Sequence, residues 1–96
     1  MKENEVLAYF LEHLWSKGFK LSDEEVQFIY FGKKYTNTSV HHVKLAISLT
    51  LQLQLSFDRS FYISLLELFQ KNEVRSLEEA KQLLMQHQLI HDSIDF

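Results

Sequence analysis

Residues 45–57 alternate apolar with small or polar side chains without a break, and no other stretch constrains the fold as strongly. The segment is LAISLTLQLQLSF. A period of two is typical of a half-buried β-strand. A single strand of this length would extend about 43 Å, whereas strands usually have about 5–6 residues. No second stretch alternates in the same way, so such a strand would need a hairpin or a neighbouring chain to pair with.

The residue types of this segment favour a helix instead. Leucine, alanine and glutamine are good helix formers, and the β-branched and aromatic residues that favour strands are scarce here. On a helix the apolar residues fall into two stripes on nearly opposite sides. One stripe holds Leu45, Leu49, Leu53 and Phe57, and the other holds Val40, Ile47, Leu51 and Leu55. We therefore predict a third helix that is buried from two sides, with strand pairing in an oligomer as the alternative.

Two polar seams separate these stripes on the predicted helix. Ser48, Gln52 and Ser56 form one seam, and Ala46, Thr50 and Gln54 form the other. A buried glutamine amide without partners costs about 1–3 kcal/mol. We therefore expect the two glutamines to reach solvent, a polar side chain or a partner surface.

The chain has no proline and only two glycines, so few residues break its helices. The bounds of the first two helices are therefore predicted mainly from capping residues. The first helix is predicted at residues 4–17, followed by Gly18 in a left-handed conformation. Ser22 is expected to cap the second helix, with Glu25 completing a capping box. This helix should end near Gly32. Residues 33–38, which include Tyr35, are then predicted to form a loop.

The remaining helices complete a small bundle. The third should start after Thr38 or Ser39, the fourth should cover residues 60–71 with Asp58 or Ser60 as its cap, and the fifth should run from Ser76 to about Ile90. We expect a frayed tail over residues 90–96. The sequence thus predicts one all-α domain over residues 1–96, a compact bundle of four to five short helices around the third.

Composition narrows the classes of function. The chain has no cysteine, which excludes disulfides and thiolate metal sites. A net charge of −3 argues against broad binding of nucleic-acid phosphates. No stretch is apolar enough for a membrane span, and no secretory signal is visible, so we expect a cytoplasmic protein that does not act on membranes.

Few residues in this chain have the spacing that catalysis or metal binding requires. His87 and His91 are four apart and could share one helix face, with Asp92 following. A histidine near a helix end is also favoured by the helix dipole, so whether this pair binds a metal stays open. His41 and His42 would point about 100° apart and cannot easily bind one ion. We predict no cofactor, no metal site and no enzymatic activity.

An excess of aromatic residues points to a protein interface. Phe28, Ile29, Tyr30 and Phe31 are consecutive, so on a helix they must face different directions. Exposed aromatic residues often anchor protein interfaces. The candidate interface residues are Tyr30, Phe31, Tyr35, Ile47, Leu51 and Leu55.

These observations predict a small non-enzymatic adaptor or regulatory protein that binds another protein or a second copy of itself. The alternative is a small nucleic-acid-binding regulator, if several lysines converge in space. Those lysines are Lys17, Lys20, Lys33, Lys34 and Lys44. The chain has the general look of a small bacterial regulatory protein, although no motif identifies a family.

Overall fold

The computed structural model describes residues 2–86, and the regular structure in this part of the chain is entirely helical. The helices are α1 (Glu3–Ser16), α2 (Asp23–Thr36), α3 (Val40–Gln54), α4 (Arg59–Lys71) and α5 (Leu77–Gln86). The prediction of an all-α bundle is confirmed, and the alternating segment is helical through Gln54 rather than extended. The predicted tail and the pair His87 and His91 lie outside the described residues.

Side-chain caps begin α2, α3 and α4 where the sequence predicts them. Ser22 Oγ accepts a hydrogen bond from the Glu25 amide at 3.1 Å, and Glu25 Oε1 accepts one from the Ser22 amide at 2.9 Å. Ser39 accepts from the amide of His42 at 3.3 Å. Asp58 caps α4 through its side-chain oxygen. Each cap satisfies a backbone N–H group that the first helical turn leaves without a partner.

Two helix ends differ from the prediction. The second helix was expected to stop near Gly32, but α2 continues to Thr36 and ends where Asn37 adopts a left-handed conformation with φ of 54°. Asparagine tolerates this conformation better than most residues. Tyr35 therefore lies in the last helical turn and not in a loop. The third helix ends at Gln54 because Leu55 is left-handed, with φ of 61°.

Helix α3 is central, as predicted, and packs against α1, α2 and α4. Its buried residues are Val43, Ala46, Ile47, Leu49, Thr50 and Leu51. The expected seams are only partly polar. Gln52 and Gln54 are exposed, but Ala46 and Thr50 are fully buried. The Thr50 hydroxyl can enter the core because it donates a hydrogen bond to the Ala46 carbonyl at 2.7 Å.

One carboxylate joins three helices at one end of the bundle. Glu3 Oε2 lies 3.1 Å from Lys33 Nζ at the end of α2, and Glu3 Oε1 accepts a hydrogen bond of 3.2 Å from the Val40 amide at the start of α3. The hydrogen bond from Lys33, followed by the one from Val40, lowers the pKa of Glu3 below its usual value. The start of α1 is thus held beside the end of α2 and the start of α3.

Helices α2 and α4 approach closely at Gly32. A Cβ atom at this position would lie 2.8 Å from Cε2 of Tyr62 and 3.1 Å from a methyl carbon of Ile63. The Tyr62 side chain is fully buried, and its hydroxyl donates a hydrogen bond of 2.8 Å to the Ile29 carbonyl. Burial raises the pKa of this hydroxyl above its usual range. Gly32 therefore lies inside α2 for reasons of space and does not end the helix.

Candidate protein-interaction surface

Helix α2 presents three aromatic side chains in a row on its outer side. We call Phe28, Phe31 and Tyr35 the aromatic face. The rings of Phe31 and Tyr35 are stacked, with centroids 5.5 Å apart and an interplanar angle of 16°. Phe28 extends the row, with its centroid 5.8 Å from that of Phe31, but it is half-buried against Phe57 and Tyr62. The side chains of Phe31 and Tyr35 are 54% and 67% exposed, so these two rings form the part of the row that is open to solvent.

The inner side of α2 explains why these rings point outwards. Ile29, Gly32 and Thr36 are buried, and their spacing of three and four residues places them on one side of the helix. The Thr36 hydroxyl donates to the Gly32 carbonyl at 2.8 Å, which satisfies it within the helix. Because this inner side is fixed against α4, Phe31 and Tyr35 are left on the solvent side.

A cationic group lies beside one end of the aromatic face. The guanidinium of Arg59 lies 5.5 Å from the centroid of the Phe28 ring, within the range of a cation–π contact. Its NH2 nitrogen is also 3.9 Å from a Glu24 carboxylate oxygen, and both side chains are at least half exposed. Lys34 follows Tyr30 by four residues and lines a groove with it, so it is not part of this row. The aromatic face is thus accompanied by a cation at its Phe28 end.

Tyr30, the first of the predicted interface residues, is separated from the aromatic face. It is half-buried and lines a groove of about 360 Å³ with Glu3, Lys33 and other residues at the start of α1 and the end of α2. Adjacent residues on a helix point about 100° apart, which explains why Tyr30 and Phe31 diverge.

The predicted stripe on α3 does not form a single surface. Ile47 is completely buried and Leu51 is 9% exposed, so both belong to the core of the chain. Leu55 is 88% exposed. The stripe is interrupted because α1, α2 and α4 pack around α3, whereas Leu55 follows the last residue of that helix. Of these three residues only Leu55 is exposed to solvent.

The paired histidines have a structural role. His41 Nε2 is 2.9 Å from the Arg75 carbonyl oxygen, and His42 Nε2 is 2.9 Å from the Val74 carbonyl oxygen. A carbonyl only accepts hydrogen bonds, so both Nε2 atoms must carry the donated proton. The two rings hold the connection between α4 and α5 against the start of α3. Across residues 2–86, no three potential ligand side chains are grouped to hold a metal ion.

The remaining charged motifs also have structural explanations. Glu24 and Glu25, like Glu78 and Glu79, lie in first helical turns, where the helix dipole stabilises negative charge. Three of the five lysines considered for nucleic-acid binding contact different partners. Lys33 pairs with Glu3, Lys20 lies over the Trp15 ring, and Lys44 lies over the Phe10 ring.

Sequence reasoning identified Phe31 and Tyr35 but missed two features of their surroundings. It placed Tyr35 in a loop, although Asn37 was available as the signal for a later helix end. It did not connect Arg59 with Phe28, because the two residues are brought together only by the packing of α4 on α2.

No helix in the described part of the chain is both long and apolar enough to cross a bilayer.

Comparison with known proteins places the chain in a family without assigning an activity. No curated protein and no solved structure matches it. A family model described as a family of unknown function, DUF6123, matches residues 1–90, which cover nearly the whole chain. The protein therefore belongs to the DUF6123 family.

Proposed function

We propose that this protein is a non-enzymatic adaptor or regulatory protein that binds another protein through the aromatic face of α2. The observation that carries the proposal is the stacked, exposed pair of Phe31 and Tyr35. Aromatic residues are enriched among the few interface positions that supply most of the binding free energy. Two rings already stacked on a helix lose little conformational freedom when a partner covers them.

The surroundings of the aromatic face suggest the chemistry of the partner. Arg59 lies over Phe28 at one end of the apolar row, and positive charge at an interface rim favours acidic partner residues. An apolar segment flanked by Asp or Glu would cover the rings and meet this cation. We therefore propose an acidic amphipathic segment of another protein as the partner.

Site-specific photo-crosslinking tests this proposal. A photoreactive phenylalanine analogue replaces Tyr35, and in a matched control it replaces Tyr9, which is exposed to a similar degree at 62% but lies on α1. In cells that make the protein, we expect one defined crosslinked partner from position 35 and none from position 9. The double variant Phe31→Ser, Tyr35→Ser should weaken binding of the identified partner at least tenfold without loss of helicity.

Two results would contradict the proposal. Equal crosslinking from both positions would show that the analogue reports random collisions. Unchanged affinity of the double variant for the identified partner would show that the aromatic face is not the binding surface.

Single-stranded nucleic acid is the second candidate ligand, because exposed aromatic rings beside positive charge, here Arg59, also form the platform on which bases stack. Titration with labelled oligonucleotides at low and moderate salt separates the two functions. Binding at low salt that is lost in Tyr35→Ser would support this alternative. An absence of binding at low salt would remove it, since electrostatic attraction is strongest there.

A further inference from the structure

Leu55 combines two features that are each unfavourable for an isolated chain. Its φ of 61° places a branched side chain in the left-handed region, where a helix usually ends on Gly or Asn. The side chain is also 88% exposed to solvent. A strained backbone that displays a large apolar side chain is a reason to look for a binding role at that position.

A groove of mixed polarity lies directly beside Leu55. It has a volume of about 260 Å³ and runs between the α1–α2 connection and the turn after α3. Leu21, Leu51 and Phe57 line its apolar part, and Phe19, which is 47% exposed, lies with Leu55 at its edge. The same small area therefore carries a protruding apolar side chain and a recess whose inner part is apolar.

We propose that this area is a self-association surface on which two copies of the chain form a two-fold symmetric dimer. In a two-fold dimer the same patch on each copy must complement itself. Leu55 of each copy would enter the groove of the other. A protrusion beside a recess is the arrangement that such an exchange needs, and the contact would cover the apolar surface of both copies.

The charges around the groove favour a second copy as the occupant. Lys20 and Glu25 both line it, so the patch carries one group of each sign. Two-fold rotation brings Lys20 of one copy towards Glu25 of the other, and the charges then attract in both directions. Lys20 also lies over the half-exposed ring of Trp15, at 5.5 Å from its centroid, which extends the apolar area at the edge.

This inference does not depend on the proposed function. Glu25 and Tyr35 are ten residues apart on α2, about 15 Å along its axis, although Phe28 at the near end of the aromatic face contacts Phe57, which lines the groove. A dimer formed through the groove would leave the exposed pair Phe31 and Tyr35 free on both copies. The dimer would then carry two aromatic faces. Such a dimer binds a partner that has several copies of the binding segment with a higher apparent affinity than a monomer does.

Sedimentation equilibrium over a range of concentrations tests the dimer, with thermal melting followed by circular dichroism as the check on folding. We expect the natural chain to dimerise reversibly. Leu55→Asn should weaken dimerisation at least tenfold, while its monomer melts at an equal or higher temperature because Asn tolerates the left-handed conformation. Leu55→Met should retain the dimer, since it keeps an apolar side chain.

Two further variants test the charges and the position. Lys20→Glu should weaken dimerisation at least tenfold, because like charges then face each other across the contact. Gln54→Ala is the matched control, since Gln54 is exposed and adjacent to Leu55. It should dimerise as strongly as the natural chain.

Three results would overturn the proposal. One is a natural chain that stays monomeric up to about 1 mM, which corresponds to negligible affinity. The second is equal dimerisation of the natural chain and Leu55→Asn. The third is a monomer whose melting temperature falls in Leu55→Asn, which would show that another segment of the same chain covers the groove.

Discussion

The two sides of α2 both carry apolar residues, but one side is buried and the other is exposed. On the inner side, Ile29 is fully buried and Gly32 lies so close to Tyr62 that no side chain fits. On the outer side, Phe31 and Tyr35 are both more than half exposed, although they are as apolar as much of the core. Phe31 and Gly32 are neighbours in the sequence. One helix therefore carries both a close approach to α4 at Gly32 and an apolar surface that nothing in the described chain covers.

Because of this contrast, we expect substitutions on one side of α2 to change stability and substitutions on the other side to change binding. Helix packing against α4 depends on close fit, so substitutions on the inner side should lower the free energy of unfolding. Phe31 and Tyr35 contribute little to the core, whereas Phe28 packs partly against it, so substitutions of Phe31 and Tyr35 should leave the fold intact and affect a partner instead. Measurements on variants of a single helix can therefore test the assignment of each side.

The largest expected effect is at Ile29. Ile29→Ala removes a completely buried side chain and leaves a cavity, so we expect the free energy of unfolding to fall by about 2–5 kcal/mol. Urea denaturation followed by circular dichroism measures this loss. Phe31→Ala is the comparison variant on the outer side. If the two variants lost equal stability, the distinction between the sides of α2 would be wrong.

Gly32 should show the next largest effect. Gly32→Val places a side chain where Cε2 of Tyr62 would be only 2.8 Å from the new Cβ atom. Overpacking of this kind costs about 1–3 kcal/mol, whereas glycine replacement in an open helix position is usually favourable. Thermal melting should therefore show a lower transition temperature. An increase would mean that α4 can move away from α2 at little cost.

The Tyr62 hydrogen bond gives a smaller effect. Tyr62→Phe removes the hydroxyl that donates to the Ile29 carbonyl while keeping the ring in place. We expect a loss of about 0.5–1.5 kcal/mol in the free energy of unfolding, the usual net value of one buried hydrogen bond. Urea denaturation at neutral pH measures it. A more stable variant would show that burial of the hydroxyl costs more than its bond contributes.

The same residue predicts a dependence on pH. Burial raises the pKa of Tyr62 in the folded protein, so above about pH 10 the unfolded chain ionises while the folded chain stays neutral at this site. Stability is then complete below the ordinary tyrosine pKa and falls as the pH rises beyond it. Tyr62→Phe should lose less stability than the natural chain between about pH 8 and about pH 11. Parallel curves would contradict this assignment.

The smallest effect on stability is expected on the aromatic face. Tyr35→Ala removes a side chain that is 67% exposed and stacked on one neighbour, so the free energy of unfolding should change by less than about 1 kcal/mol. Chemical denaturation measures the change, and Tyr9→Ala is the matched control. A larger loss would show that the aromatic face supports the fold.

Local signals in the sequence predicted most of the helical framework. Ser22 with Glu25, then Ser39 and Asp58, begin three helices at the expected places. Such caps depend on residues three positions apart, and their chemistry is therefore visible in the sequence. The helical nature of the alternating segment was also predictable, because leucine and glutamine favour helices over strands.

Helix ends and solvent exposure could not be predicted in the same way. Gly32 resembled a helix end, but its small size serves the contact with Tyr62, which lies thirty residues later. Ile47, Leu51 and Leu55 resembled one surface, but the packing of other helices on α3 buries the first two and leaves the third exposed. These outcomes depend on partners that are distant in the sequence.

The amino-acid sequence by itself determined the helical class and the helix starts, because capping and helix propensity act within a few residues. Only the tertiary structure decided which apolar residues are core and which are surface. Apolar periodicity shows that a helix must be covered, but not from which direction the covering helix approaches. For Phe31, Tyr35 and Leu55 that direction leaves the side chain in solvent, and the proposed binding surfaces follow from it.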